Sequence, residues 1–177
     1  MLEDTVSRLR AERENKPVPK KMPDTTVELR QDAYLDEDYI GNEGQKMEIY
    51  RRLAVAASEE ELTDLIDEVI DRFGSPSRPA ERLFMVSRIR VQARRLGIGS
   101  ILDEGQTLLI VWADEEPMRR WNMNRLPHSY MSKLHFLPGA PARVRIKKTD
   151  IQGNTAKWMS DCIEEVTKEI YSGEKRA

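Results

Sequence analysis

The hydrophobic period of this chain changes at Gly97. Before it, apolar residues recur every three or four positions; after it, they fall in short alternating or continuous runs. A chain that reads as helices, then strands, then one last helix belongs to the α+β class. The expected architecture is a helical N-terminal half packed on a small, mostly antiparallel sheet, with a C-terminal helix.

The strongest local signal lies between Ser58 and Gly74. Ser58 is followed three residues later by Glu61, the capping-box spacing in which each side chain satisfies a backbone N–H at the helix start. Leu62, Leu65, Ile66, Val69, Ile70 and Phe73 then form one apolar face, and Gly74 closes the helix. Phe73, at the end of that face, is expected to be buried, so that Phe73→Ala would cost roughly 3–5 kcal/mol. A helix over 43–57 places Met47, Tyr50, Leu53, Ala54 and Ala57 on a stripe. A third, from about 80 to 96, turns Leu83, Val86, Ala93 and Leu96 inward. Thr25–Leu29 reads as a short strand. Ser100–Leu102 and Thr107–Ala113 flank the turn Asp103-Glu104-Gly105-Gln106, and Leu108–Trp112 is apolar on both faces, which predicts a central strand. A short helix over Asp114–Met123 is followed by a second hairpin, Lys133–Phe136 with Ala142–Lys148. The last helix, about 155–171, buries Trp158, Met159, Cys162, Val166 and Ile170.

Chemistry-bearing patterns are sparse. The single cysteine, Cys162, lies on the apolar stripe of the last helix and reads as a small core residue, with no internal disulfide possible. His128 and His135 are far from it in sequence, so no metal site is expected. Gly41-Asn42-Glu43-Gly44-Gln45-Lys46 has the glycines of a phosphate loop. It lacks the spacing, the following Ser or Thr, and a preceding apolar strand, and reads as a helix start. No apolar run approaches the roughly 20 residues that span a bilayer. A soluble cytoplasmic protein without catalytic activity is expected.

Charge, by contrast, is segregated. Net charge is −2, which gives no overall attraction to nucleic acid. Glu59 to Asp71 nevertheless holds seven acids and no base. Glu61, Asp64, Glu68 and Asp71 follow one another at spacings of three, four and three. Like charges so placed repel by a few tenths of a kcal/mol per pair. The helix dipole favours acids in the first turn but opposes Glu68 and Asp71 at the other end. These two are expected to be exposed, to contribute little to the isolated fold, and to meet a basic partner, within the domain or outside it. The basic counterpart is Arg82, Arg88, Arg90, Arg94 and Arg95 on the third helix, with Arg143, Arg145 and Lys147 alternating along a strand. Pairing of the arginine helix with the acidic helix beside it accounts for this most simply. The alternative is a small nucleic-acid-binding domain using the Arg-rich helix, for which stacking aromatics are too few and scattered.

Tyr39-Ile40, Tyr50-Arg51-Arg52-Leu53-Ala54, Glu59-Glu60-Glu61-Leu62, Ile70-Asp71-Arg72-Phe73-Gly74, Pro79 and Ala93-Arg94-Arg95-Leu96-Gly97-Ile98 occur in order over 39–98. This series resembles the C-terminal domain of bacterial transcription-repair coupling factors. The family has Ile-Pro where this chain has Ile40-Gly41, a change confined to a turn. The resemblance implies that residues 1–22, with Leu2, Val6 and Leu9 at helical spacing and a Pro- and Lys-rich stretch after them, are the tail of a preceding motor domain and a linker. Residues 23–177 would be the regulatory domain.

The same resemblance implies a parent that is an ATP-dependent translocase on duplex DNA, using ATP and Mg, which removes stalled RNA polymerase and recruits the excision-repair protein UvrA. The regulatory domain would dock on the UvrA-binding module and hide it, restraining UvrA recruitment and motor activity. The family makes that contact with acids ahead of Arg-Phe-Gly, here Glu68 and Asp71, with Asp64 one turn before. No motif for ATP lies in this chain, so it is expected neither to bind nor to hydrolyse the nucleotide.

Overall fold

In the computed structural model, residues 24–119 and 121–172 are described. The expected tail and linker over 1–22 lie outside them. Strand β1 (Thr26–Glu28) leads through a connector into three helices, α1 (Glu43–Val55), α2 (Glu59–Phe73) and α3 (Arg78–Arg95). Strands β2 (Ile98–Asp103) and β3 (Thr107–Trp112) follow. Two single-turn helices, α4 (Glu116–Arg119) and α5 (His128–Met131), precede strands β4 (His135–Leu137) and β5 (Arg143–Lys147), and α6 (Thr155–Ser172) ends the described chain. The sheet order is β1-β2-β3-β5-β4, so the apolar run Leu108–Trp112 occupies its centre. All pairings are antiparallel except β1 with β2, where Thr26 lies opposite Ser100. The fold is α+β.

Two cores meet at α3. Toward the sheet, Ile89, Ala93 and Leu96 pack with Ile101, Leu108, Ile110, Val144 and Ile146 and with Met159, Ile163 and Val166 of α6. Toward α1 and α2, Ala80, Phe84 and Val91 pack with Ile49, Leu53, Leu62, Leu65 and Val69. Sequence reading gave α3 a single apolar face and so missed Phe84, Ile89 and Val91, because a helix buried on two sides has no clean stripe. A polar link, buried at its Gln92–Ser160 end, also joins the two halves. Glu59 accepts from Gln92 Nε2 at 3.1 Å, and Gln92 Oε1 accepts from the Ser160 hydroxyl at 3.0 Å.

Other boundaries moved for local reasons. In α1 the inward residues are Lys46, Ile49, Leu53 and Ala56, whereas Met47 is 59% exposed. The stripe is rotated by about one position because Lys46 buries its stem while its ammonium pairs with Glu43 at 2.8 Å. The helix expected over Asp114–Met123 is only the four residues of α4, followed by a 3-10 turn at Met123–Arg125. Ser58 caps α2 by accepting from Glu61 N–H at 3.1 Å, but Glu61 accepts from Ala57 N–H rather than from Ser58, at 2.9 Å. Gly97 cannot carry a side chain. Its φ is +73°, and a Cβ there would lie 2.4 Å from the Asp114 carbonyl oxygen.

Phe73 is half-buried rather than buried. It closes a rim with Tyr39, ring centroids 6.4 Å apart and edge to face, and the Arg72 guanidinium lies 5.2 Å from its ring centre. The expected cost of Phe73→Ala falls accordingly, to about 1–2 kcal/mol. A urea midpoint shift matching that of a buried leucine truncation would contradict this placement.

Cys162 is buried, and burial pushes its thiol up to about 12, so it stays protonated. Trp158 is only half-buried, with its ring against Tyr130 at 5.5 Å.

Candidate interaction surface

α2 carries the acids, and eight of its fifteen residues are exposed. Its apolar residues Leu62, Leu65 and Val69 are buried, which fixes the rotation of the helix and sends the carboxylates to the other sides. The structure divides these acids into two sets.

Three are committed inside the domain. Glu59 holds Gln92 and Glu61 holds the Ala57 amide. Glu68 is clamped by Arg52 of α1 through two parallel bonds of 2.9 and 2.7 Å, and by Arg72 one turn on at 3.3 Å. Of the two places left open for a basic partner of Glu68, the structure supplies the one within the domain. Its side chain is still 41% exposed, but its charge is answered within the domain. The physical reason is that α1, packed in the same core as α2, brings Arg52 to the C-terminal half of α2. That puts a guanidinium where the dipole alone would disfavour an acid.

The fork from Arg52, reinforced by Arg72, holds the Glu68 carboxyl below the ordinary glutamate range. A carboxyl with a lowered folded pKa stabilises the fold above its unfolded pKa, and that contribution fades as pH falls through the lower value. Glu68→Gln is therefore expected to cost stability at neutral pH and to shrink the acid-side loss seen in the parent chain. Urea midpoints that differ by a constant amount from neutral pH down through the carboxylate range would contradict it.

The other set is Glu60, Asp64, Asp67 and Asp71. All four are exposed, and none has a hydrogen-bond or ion-pair partner among the described residues. Their spacings of four, three and four place them within about 60° of arc on one side of the helix. This differs from the stripe read from sequence, which took Glu61 and Glu68 in place of Glu60 and Asp67. Asp64 and Asp71 are common to both. Helical spacing alone could not separate the two stripes. The distinguishing features are the bond from the Ala57 amide to Glu61 and the position of Arg52.

The arginines do not answer the acidic helix as expected. α3 faces α2 with Ala80, Phe84 and Val91, so its cations lie elsewhere. Arg90 donates to the carbonyls of Leu53 and Ala54, capping the end of α1. Arg95 lies 4.8 Å over the Tyr171 ring. Arg82 lines a groove beside the start of α6, and Arg88 and Arg94 are half-buried. Arg143 and Arg145 stand on β5, where Arg143 donates to the Pro138 carbonyl and Arg145 pairs with Glu104 at 3.5 Å; Lys147 ends the strand, exposed. These cations lie on two separate elements, α3 and β5.

Lys46 of the glycine-containing segment pairs with Glu43 while Asn42 caps α1, so the segment is a helix start. Among the described residues, no three His, Cys, Asp or Glu converge as metal ligands. His128 begins α5 and His135 lies on the edge strand β4, both exposed. Among those residues no helix is long and apolar enough to cross a membrane.

A sequence model of the TRCF domain family matches residues 29–122, well beyond the 39–98 over which the resemblance was read. The transcription-repair-coupling factor of Staphylococcus epidermidis is 40% identical over 111 residues, 63% of this chain. That of Staphylococcus haemolyticus is 39% identical over 108 residues, 61% of this chain. The matched segment is 9% of the length of either relative. The crystal structure of the C-terminal domain of a transcription-repair coupling factor has the same fold. Its TM-score is 0.71 at 15% identity, covering 89% of this chain and 99% of that one.

Proposed function

The chain belongs to the TRCF domain family of transcription-repair coupling factors, and from that premise we propose that it is a non-catalytic docking domain that covers the UvrA-binding module of its parent. The observation that supports this reading is the unanswered acidic side of α2, formed by Asp64 and Asp71 with Glu60 and Asp67. Four carboxylates at helical spacing repel one another. A basic partner surface removes that repulsion and gains charge-assisted hydrogen bonds on docking.

Glu68 has a supporting part. Clamped by Arg52 and Arg72, it ties α1 to α2 and fixes the rotation at which Asp64 and Asp71 are presented. Docking of this kind occludes the module at rest, restraining UvrA recruitment and motor activity until the domain is displaced. ATP, Mg, duplex DNA and RNA polymerase belong to other parts of the parent, and the domain itself needs no cofactor.

The test is capture of UvrA by the intact coupling factor with and without residues 24–172. Removal is expected to raise UvrA binding and basal ATP turnover together. Unchanged UvrA binding in the shortened protein would contradict the covering role.

A further inference from the structure

A second charged feature lies away from the acidic helix. An open groove of about 610 Å³ is bounded by the connector after β1, the N-terminal half of α3 and the first turn of α6. It continues into a neighbouring groove of about 380 Å³ through four shared lining residues, Gln31, Arg82, Asn154 and Ala156.

Its donors outnumber the acceptors that could satisfy them. Arg30 and Arg82 line it, and neither side chain has an ion-pair partner among the described residues. Arg78 and Lys157 stand at the outer end. The Gln31 side-chain amide nitrogen is covered from solvent and has no hydrogen-bond partner. Asn154 accepts from the Lys157 amide, which leaves the amides of Thr155 and Ala156 without an acceptor within α6.

The acids nearby do not balance this set. Asp103 is consumed by Lys148 at 2.5 Å and by the backbone amides of Arg30 and Gly105. Asp32 and Glu81 are exposed on the groove walls.

We propose that this groove is a binding site for a compact phosphate group, a phosphate monoester or diphosphate, held between Arg82, Arg30 and the first turn of α6. The ligand class follows from the donors. Planar guanidinium forks match phosphate oxygens in pairs, and the start of an 18-residue helix adds directed N–H groups and a positive partial charge. A carboxylate offers two oxygens to this many donors, whereas a phosphate offers three.

The experiment is an amide NMR titration of the chain with inorganic pyrophosphate, run in parallel with succinate and with a short DNA duplex. Pyrophosphate is expected to shift the Thr155 and Ala156 amides in a saturable way. Arg82→Ala and Arg30→Ala are each expected to weaken that binding about tenfold. Arg82→Lys is expected to fall between Arg82→Ala and the parent chain. Arg143→Ala, on β5, is expected to leave it unchanged, and thermal melts confirm that each variant is folded.

Several results overturn the proposal. The shifts spread equally to β5, or persist unchanged in the Arg82 and Arg30 variants. Succinate acts at equal or lower concentration than pyrophosphate. Or the duplex shifts these amides while pyrophosphate does not, in which case the groove reads a nucleic-acid backbone rather than a compact anion.

Discussion

Leu62→Ala is expected to lower the unfolding free energy of this chain by roughly 2–5 kcal/mol, the range of a buried leucine truncated where the surroundings cannot collapse. Leu62 is 0% exposed and sits in the core shared by α1, α2 and α3. It begins the inward face of α2, with Leu65 and Val69 one and two turns on, so its loss leaves a void under the helix that carries the acids. Asp67→Ala, on the solvent side of the same helix, is expected to stay within about 0.5 kcal/mol of the parent. Denaturant unfolding of the two variants measures both. Equal midpoints would mean that α2 is rotated from the position described.

The double substitution Asp64→Lys with Asp71→Lys is expected to separate folding from docking. Neither carboxylate has a partner among the described residues, so the isolated chain should melt as the parent does or slightly higher, because repulsion along α2 is relieved. At the docked interface the same change places like charges together. Disrupting charge pairs desolvated there costs roughly 2–5 kcal/mol, an affinity loss from about thirtyfold upward. Unfolding of the isolated chain by this double substitution would make the acids structural and move the docking surface elsewhere.

How much of this was legible in the sequence depends on how far each signal reaches along the chain. The cap from Ser58, the closing Gly74 and the central strand Leu108–Trp112 are local and were read correctly, though Glu61 turns to the Ala57 amide instead of completing a reciprocal box. What failed depended on neighbours remote in sequence. The rotation of α1 turned on whether Lys46 could bury its stem, and the double burial of α3 on its lying between two cores. Phe73 looked like a core residue because it ends a stripe, yet the stripe runs off the edge of the core there.

The acidic surface shows the same division. Its existence on the helix Glu59–Asp71 was readable from composition and spacing. Which acids remain unpartnered was not, because Arg52 lies on another helix, 16 residues from Glu68 in sequence. Helical spacing groups Glu68 with Asp64 and Asp71 on the sequence-read stripe. Only the Arg52 contact from α1 removes Glu68 from the unpartnered set, which leaves Glu60 and Asp67 with Asp64 and Asp71.

The most direct measurement is a calorimetric titration of this chain with the isolated UvrA-binding module of its parent, at low and at moderate salt. Saturable one-to-one association is predicted, weakening as salt rises and lost in the chain carrying Asp64→Lys and Asp71→Lys. Absence of association at low salt, or association of equal strength with the doubly substituted chain, would contradict docking through the acidic side of α2.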